Sequence, residues 1–161
     1  MRRVPTLSIV VPCYNEAENI PVMLAAFARA FSEDTRREFA ELVIVDNNSN
    51  DRTAEVLGRE LVKPEYAFAR NVFEPTPGYG AAIKAGLKAA RGEVLSWTHG
   101  DVQTDPADVF RAYDLFCAGA DATVLVKGNR IHRHFSQVFF SFGMAAISSI
   151  ILGKSLFEIN A

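Results

Sequence analysis

The sequence predicts an α/β domain in which helices cover both faces of a mostly parallel sheet. Three observations lead there. Short β-branched apolar runs recur along the chain, amphipathic stretches of helical length separate them, and polar turn residues follow nearly every run. The size agrees, because 161 residues are close to one domain. Hydrophobic residues at 49% and charged residues at 22% are the proportions of a folded globular chain and exclude disorder.

Each element has a local reason. Leu7-Ser8-Ile9-Val10-Val11-Pro12 is nearly all apolar, as in a strand buried on both faces. Ile20, Leu24, Phe27 and Phe31 then recur at helical spacing, with Asn19 as the expected N-cap and Pro21 in the first turn. Leu42 to Val45 reads as a second buried strand ending at Asp46. The turn residues Asn47-Asn48-Ser49-Asn50 follow, and Asp51 is expected to cap a helix running to about Leu61. Ala67 to Phe73 is a weaker third strand, succeeded by the Pro/Gly loop from Pro75 to Gly80. Ala81 to Arg91 has Ala and Leu at helical spacing, with Gly92 as its C-cap. Val94 to Thr98 is a fourth strand, Pro106 opens a helix that ends near Cys117, and Ala122 to Val126 is a fifth strand.

Charge narrows the partners. Seventeen Lys+Arg against nineteen Asp+Glu give a net charge of -2, too near neutral for nucleic acid as the main partner. Residues 1–126 hold 13 basic and 18 acidic side chains, whereas Lys127, Arg130, Arg133 and Lys154 face Glu158 alone thereafter. Five of the twelve Phe lie at or after Phe135. An acidic body before a basic, greasy segment suits peripheral contact with an anionic membrane surface; a core helix with a few solvated cations has the same composition. Phe135 to Gly153 has no formal charge over 19 residues, but Ser136, Gln137, Ser141, Ser148 and Ser149 dilute it. A buried or amphiphilic helix is therefore expected there rather than a membrane span. Cys13 and Cys117 are too few for a disulfide framework or a metal cluster, and MRRVPTLS lacks the apolar core of a signal peptide. Both point to the cytoplasm, at the inner face of the membrane where the basic tail meets lipid.

Ligands of open parallel sheets bind beyond the C-terminal ends of the strands. Cys13-Tyr14-Asn15-Glu16, Asp46-Asn47-Asn48-Ser49, Gly78-Tyr79-Gly80 and His99-Gly100-Asp101-Val102-Gln103 each follow a strand. Any one of them is as readily a turn or a helix cap; four at one sheet edge make a candidate site. The Gly78/Gly80 pair is half of a dinucleotide fingerprint, but it follows the third strand and lacks the full spacing. No Walker A lysine motif and no G-x-S-x-G elbow occurs, which excludes P-loop nucleotidases and the common hydrolases. Asp101 and Gln103 offer two oxygen donors on the same side of an extended segment, suited to Mg2+ or Mn2+ shared with a phosphate-bearing substrate. His99 as a third ligand would favour manganese; an Asp-turn beside an exposed His is the other reading.

These residues carry a resemblance. V-V-P-C-Y-N-E at Val10 to Glu16, V-D-N-N-S-N-D-R-T at Val45 to Thr53 and G-Y-G-A-A-I-K-A-G-L-K-A-A-R-G at Gly78 to Gly92 resemble, in order and spacing, the signatures of family 2 glycosyltransferases. H-G-D-V-Q at His99 to Gln103 stands in the place of that family's D-x-D-x-Q. The branch it is most similar to transfers sugars to polyprenyl (dolichyl or undecaprenyl) phosphate. The resemblance implies a three-layer GT-A fold that binds a nucleotide-diphosphate sugar and a divalent cation. Pro12, Tyr14, Glu16 and Asp46 match positions that hold the nucleoside, and Asp101 and Gln103 match ligands of metal and diphosphate. Asn15, Asn48, Gly78, Gly80 and Gly100 fall in the same motifs and count with the substrate-binding residues. Arg130 matches a basic residue near the donor and acceptor phosphates, so Asp101 and Arg130 are the expected catalytic residues. Arg133 is a further candidate for the acceptor phosphate, with simple solvation as its other reading.

Two features depart from the family pattern. His99 replaces the first aspartate of the D-x-D, and Asn47 stands where a second aspartate usually follows Asp46. The family pattern also continues past Ala161, so residues 1–161 are expected to form the N-terminal two thirds of a catalytic domain. The expected reaction is inverting transfer to a polyprenyl phosphate. Transfer to a hydroxyl of an envelope polysaccharide is the alternative within enzymes, and an inactive nucleotide-sugar-binding fragment the alternative outside them.

Overall fold

The computed structural model describes residues 6–33, 39–102, 104–119 and 125–128. Four strands, β1 (Leu7–Cys13), β2 (Ala40–Asp46), β3 (Ala69–Phe73) and β4 (Val94–Trp97), alternate with the helices α1 (Asn19–Glu33), α2 (Thr53–Glu60), α3 (Tyr79–Ala89) and α4 (Pro106–Ala118). The sheet runs in the order β3-β2-β1-β4 with all pairs parallel. β1 and β2 are in register from Leu7/Ala40 to Cys13/Asp46, and every residue of both is buried. That burial on two faces is why neither strand shows apolar–polar alternation.

The order of the strands decides where the helices lie. β1 to β2 to β3 steps one way across the sheet, and β3 to β4 steps back past β1. Right-handed crossovers therefore put α1 and α2 on one face and α3 on the other. On the first face Leu7, Ile9 and Val11 of β1 and Leu42 and Ile44 of β2 pack with Leu24, Phe27 and Phe31 of α1, Leu57 of α2 and Phe110 of α4. The Phe31 ring is 4.5 Å from Phe68 and meets Phe110 edge-on at 5.3 Å. On the second face Val10, Val43 and Val45 pack with Ala82 of α3. Gly86 lets that helix down onto the sheet: a Cβ there would collide with Val10 Cγ1. The result is the expected three-layer α/β arrangement.

Several local expectations are corrected. Asn19 is the first residue of α1 and not its cap; its N–H and that of Ile20 both donate to the Glu16 carbonyl. The helix at Asp51 starts two residues later, at Thr53, whose N–H donates to Asp51 Oδ1. β3 begins at Ala69 because Pro64–Tyr66 forms a 3-10 turn ahead of it. α3 covers Tyr79–Ala89, and Gly92 does not cap it, since the chain is already extended at Ala90. β4 ends at Trp97, one residue before the expected Thr98, and half-buried and exposed residues alternate along it. Of the expected fifth strand, residues 122–124 lie outside the described residues, and Leu125 and Val126 have no regular structure. The uncharged stretch Phe135 to Gly153 also lies outside them.

At the N-terminal end of the strands a buried polar cluster ties these elements together. Ser8 Oγ donates to Glu41 Oε1 at 2.8 Å, Arg70 Nε donates to Glu41 Oε2 at 2.9 Å, and the Arg91 N–H donates to Glu41 Oε1 at 2.7 Å. The Gly92 N–H donates to Ser8 Oγ at 2.8 Å. Burial works to raise the Glu41 pKa, but these hydrogen bonds and the Arg70 charge outweigh it and hold the carboxyl below its ordinary value.

The chain divides into two units, Met1–Tyr113 and Asp114–Ala161. The second contributes the end of α4 and Leu125–Gly128 to the described residues. Among the described residues no helix is long and apolar enough to cross a membrane.

Candidate functional site

The strand order reverses between β1 and β4, which is where an open parallel sheet leaves a crevice at its C-terminal edge. A cavity of about 650 Å³ lies there. Its walls come from all four strand ends: Pro12 and Cys13 at the end of β1 with Tyr14 and Glu16 after it, Asn47 to Asn50 after β2, Pro77 to Tyr79 after β3, and His99 to Asp101 after β4, with Ala82 of α3.

The first two loops are cross-linked by their own polar atoms. The Asn15 N–H donates to Ser49 Oγ at 3.0 Å, and the Asn50 N–H donates to Asn15 Oδ1 at 2.9 Å. The Glu16 N–H donates to Thr53 Oγ1 and the Ala17 N–H to Asp51 Oδ2. Asn15 and Asn48 have φ of 56° and 57°, left-handed positions that asparagine tolerates better than most residues. Asp46 is buried, and its Oδ1 accepts the Ser49 N–H at 3.0 Å. Desolvation pushes the Asp51 pKa upward, but hydrogen bonds from the Thr53 hydroxyl and N–H and from the Ala17 N–H outweigh it and leave the carboxyl below its ordinary range. Asn47 ties in the third loop, its side chain bonding Glu74, Thr76 and Gly78.

The fourth loop brings His99, Gly100 and Asp101 to the cavity. His99 and Tyr79 are stacked with ring centroids 5.6 Å apart and planes 10° from parallel, and the Tyr79 hydroxyl lies 3.4 Å from His99 Nδ1. Gly100 passes so close to β1 that a Cβ would meet Cys13 Sγ at 2.9 Å. Burial pushes the Cys13 thiol well up, and the charges of Glu16 and Asp46 add to this, so it is an inert filler of that contact and not a nucleophile. The segment after β4 is bent, not extended: Val102 has φ of 61°, a costly conformation for a β-branched residue. Val102, between Asp101 and Gln103, is thus not extended as expected, and Gln103 itself lies outside the described residues.

Among the described residues no three His, Cys, Asp or Glu side chains cluster as a metal cage. Asp101 and His99 line the cavity together. Two carboxylates, Asp101 and Glu16, line this open cavity, a donor set that fits a hard cation taking most of its oxygens from a bound phosphate and water and does not fit a cation held by protein alone. His99 also forms part of a second cavity of about 590 Å³ between α1 and the start of α4, which includes Arg29 and Arg111.

Of the residues expected from sequence, Pro12, Tyr14, Glu16, Asn48, Gly78, His99, Gly100 and Asp101 line the one cavity. Asn15 and Asp46 stand behind it and brace the loops. Gly80 is the second residue of α3, with open space beside it and no place in the cavity wall. Arg130 and Arg133 lie outside the described residues. Pro77 and the side-chain bonds of Asn47 are not among the sequence expectations, and Tyr79 enters there only within the Gly78-Tyr79-Gly80 cluster, with no role of its own. An aromatic between two glycines where a helix opens was the available signal for Tyr79.

The chain has counterparts among known proteins. The profile of Glycosyl transferase family 2 matches residues 8–138. The chain is 31% identical over 127 residues to the undecaprenyl-phosphate 4-deoxy-4-formamido-L-arabinose transferase of Pectobacterium atrosepticum, covering 79% of this chain and 38% of that protein. It is 35% identical over 124 residues to an uncharacterized glycosyltransferase of Mycobacterium bovis, covering 77% and 48%. The chain thus spans less than half the length of either relative. Among solved structures, a mannosyltransferase from Pyrobaculum calidifontis in complex with GDP-Man and Mn2+ superposes with a TM-score of 0.59 at 28% identity, covering 76% of this chain and 34% of that one. S. aureus TarS 1–349 in complex with UDP superposes with a TM-score of 0.54 at 23% identity, covering 70% and 32%, and shows a shared fold.

Proposed function

Because the chain belongs to glycosyl transferase family 2 and has its GT-A fold, we propose that it forms the donor-binding part of an enzyme that moves a sugar, with inversion, from a nucleotide-diphosphate sugar to a polyprenyl phosphate. The observation that carries this is the cavity at the strand switch point, with Tyr14, Glu16 and Asn48 on one side and Asp101 on the other. The acceptor rests on the relatives named as undecaprenyl-phosphate transferases. In this reading residues 1–161 are the N-terminal part of the catalytic domain, working at the cytoplasmic face of a membrane that the basic residues from Lys127 onward approach.

The residues divide the work. Pro12, Tyr14 and Glu16 bound the nucleoside, and the buried carboxylate of Asp46 acts through the Ser49 N–H it fixes. Asp101, with Gln103, would hold Mg2+ or Mn2+, whose contribution is to neutralise charge on the leaving diphosphate. Arg130 and Arg133 are assigned to the acceptor phosphate, for which guanidinium groups are well matched. A lipid phosphate is already ionised near neutral pH, so no strong general base is required and positioning supplies most of the rate.

The test is transfer from UDP- and GDP-sugars, with Mn2+ or Mg2+, to undecaprenyl phosphate in detergent. Labelled lipid is expected from the wild-type chain, with a loss of about a hundredfold or more in Asp101→Ala and Arg130→Ala. Glycosylation of a saccharide hydroxyl with the lipid phosphate left inert would sink this reading.

A further inference from the structure

We propose that Asn47 is a positioning residue for the donor site: its side-chain amide fixes the Glu74–Gly78 loop on the cavity and so sets nucleotide affinity without bonding the nucleotide. This rests on the nucleotide reading of the cavity.

The loop sequence Glu74-Pro75-Thr76-Pro77-Gly78 explains why such a residue is needed. Two of its five residues are prolines and have no N–H, so the loop is short of donors for its own carbonyls. Asn47 supplies them. Its Nδ2 donates to the Glu74 carbonyl at 3.1 Å and to the Thr76 carbonyl at 2.6 Å, in each case the carbonyl just ahead of a proline. Its Oδ1 accepts the Gly78 N–H at 2.8 Å, holding a residue whose φ is 130°. The Asn47 N–H donates to the Cys13 carbonyl, so the same residue joins the ends of β1 and β2 to the loop after β3.

Asn47 is 5% exposed, and both amide hydrogens are already used. It has no side-chain donor left for a ligand, although it lines the cavity together with Pro77 and Gly78 of the loop it holds. An aspartate here would be the same size with no donor, and its carboxylate would face two carbonyl oxygens. The amide at this position is therefore matched to this loop.

The experiment compares wild type, Asn47→Asp and Arg70→Ala by calorimetric titration with GDP and UDP in Mn2+, alongside hydrogen exchange. Arg70 belongs to the polar cluster at the far end of the strands and serves as a destabilised control. Asn47→Asp is expected to bind nucleotide about tenfold or more weakly, with faster exchange confined to residues 74–80. Arg70→Ala is expected to lose stability and keep wild-type affinity. Folded Asn47→Asp with unchanged affinity overturns the proposal, and so does an equal loss in Arg70→Ala, which would mark a merely structural effect. Should Asn47→Asp fail to fold, Asn47→Ser keeps one donor and is expected to show a smaller loss, with unchanged affinity again overturning the proposal. Wild type that binds neither nucleotide overturns the cavity reading and this inference together, an outcome distinct from the loss of Asn47's role alone.

Discussion

Two glycines show how differently the same residue is constrained. At Gly92 a Cβ would lie 2.6 Å from the Ser8 amide nitrogen and 2.8 Å from the Leu7 carbonyl carbon, backbone atoms in a fully buried strand. At Gly58, inside α2, a Cβ would meet nothing within 4 Å. Gly92→Ala is therefore expected to cost about 1–3 kcal/mol, as β1 or the α3–β4 connection must move. Gly58→Ala is expected to stabilise by roughly 0.5–1 kcal/mol through helix propensity alone. Urea unfolding of both variants checks the pair, and equal midpoints would contradict the contrast. The sequence shows Gly92 at the end of a helical run, which suggests a cap; its real constraint comes from a strand more than eighty residues away and has no local signature. Val102 is the converse case. A valine advertises extended backbone, and nothing in H-G-D-V-Q announces its φ of 61°.

At the scale of elements, Glu41 joins β1, β2, β3 and the α3–β4 connection through Ser8, Arg70 and the Arg91 N–H. Its carboxyl sits below the ordinary value of 4.5 in the folded chain. A depressed folded pKa means that its stabilisation is complete above the unfolded value and is lost as the pH falls through the folded one. Glu41→Gln is expected to destabilise by about 1–3 kcal/mol at pH 7, because the buried Arg70 contact and two donors lose their anion. The gap between wild type and variant should narrow below pH 4.5. Thermal melts from pH 7 to pH 3 read this directly, and a constant gap across that range would contradict it. Elements with both faces covered were the legible ones: β1 and β2 appear as largely apolar runs within two residues of their ends. Boundaries set by a few hydrogen bonds were not. Glu16, not Asn19, receives the first N–H groups of α1, and Pro64 delays β3 by starting a 3-10 turn.

At the scale of the molecule, the position of the site was legible and its internal wiring was not. Four polar clusters after four strands locate the cavity, since parallel strands bring their C-terminal ends to one edge. The bonds from Asn15 to Ser49 and Asn50, and from Asn47 to the Glu74–Gly78 loop, join residues about thirty positions apart and emerge only from the packing. They also make ligand binding a property of the whole sheet edge. A nucleotide-diphosphate sugar seated there would contact loops from every strand, so its binding energy is withheld from any state in which one strand has detached. Ligand at a hundred times its dissociation constant adds about 2.7 kcal/mol to folding stability. For a chain of this size that corresponds to a rise of roughly 5–10 °C in Tm. We expect that rise with Mn2+ and the matching nucleotide sugar, and a smaller one after chelation, because Asp101 then faces the diphosphate with no cation between them. Asp101→Asn should erase the difference between the two conditions, whereas the free nucleoside should give a shift indifferent to cation throughout. A nucleoside response that needs Mn2+ would place the cation away from the diphosphate and contradict the assignment of Asp101.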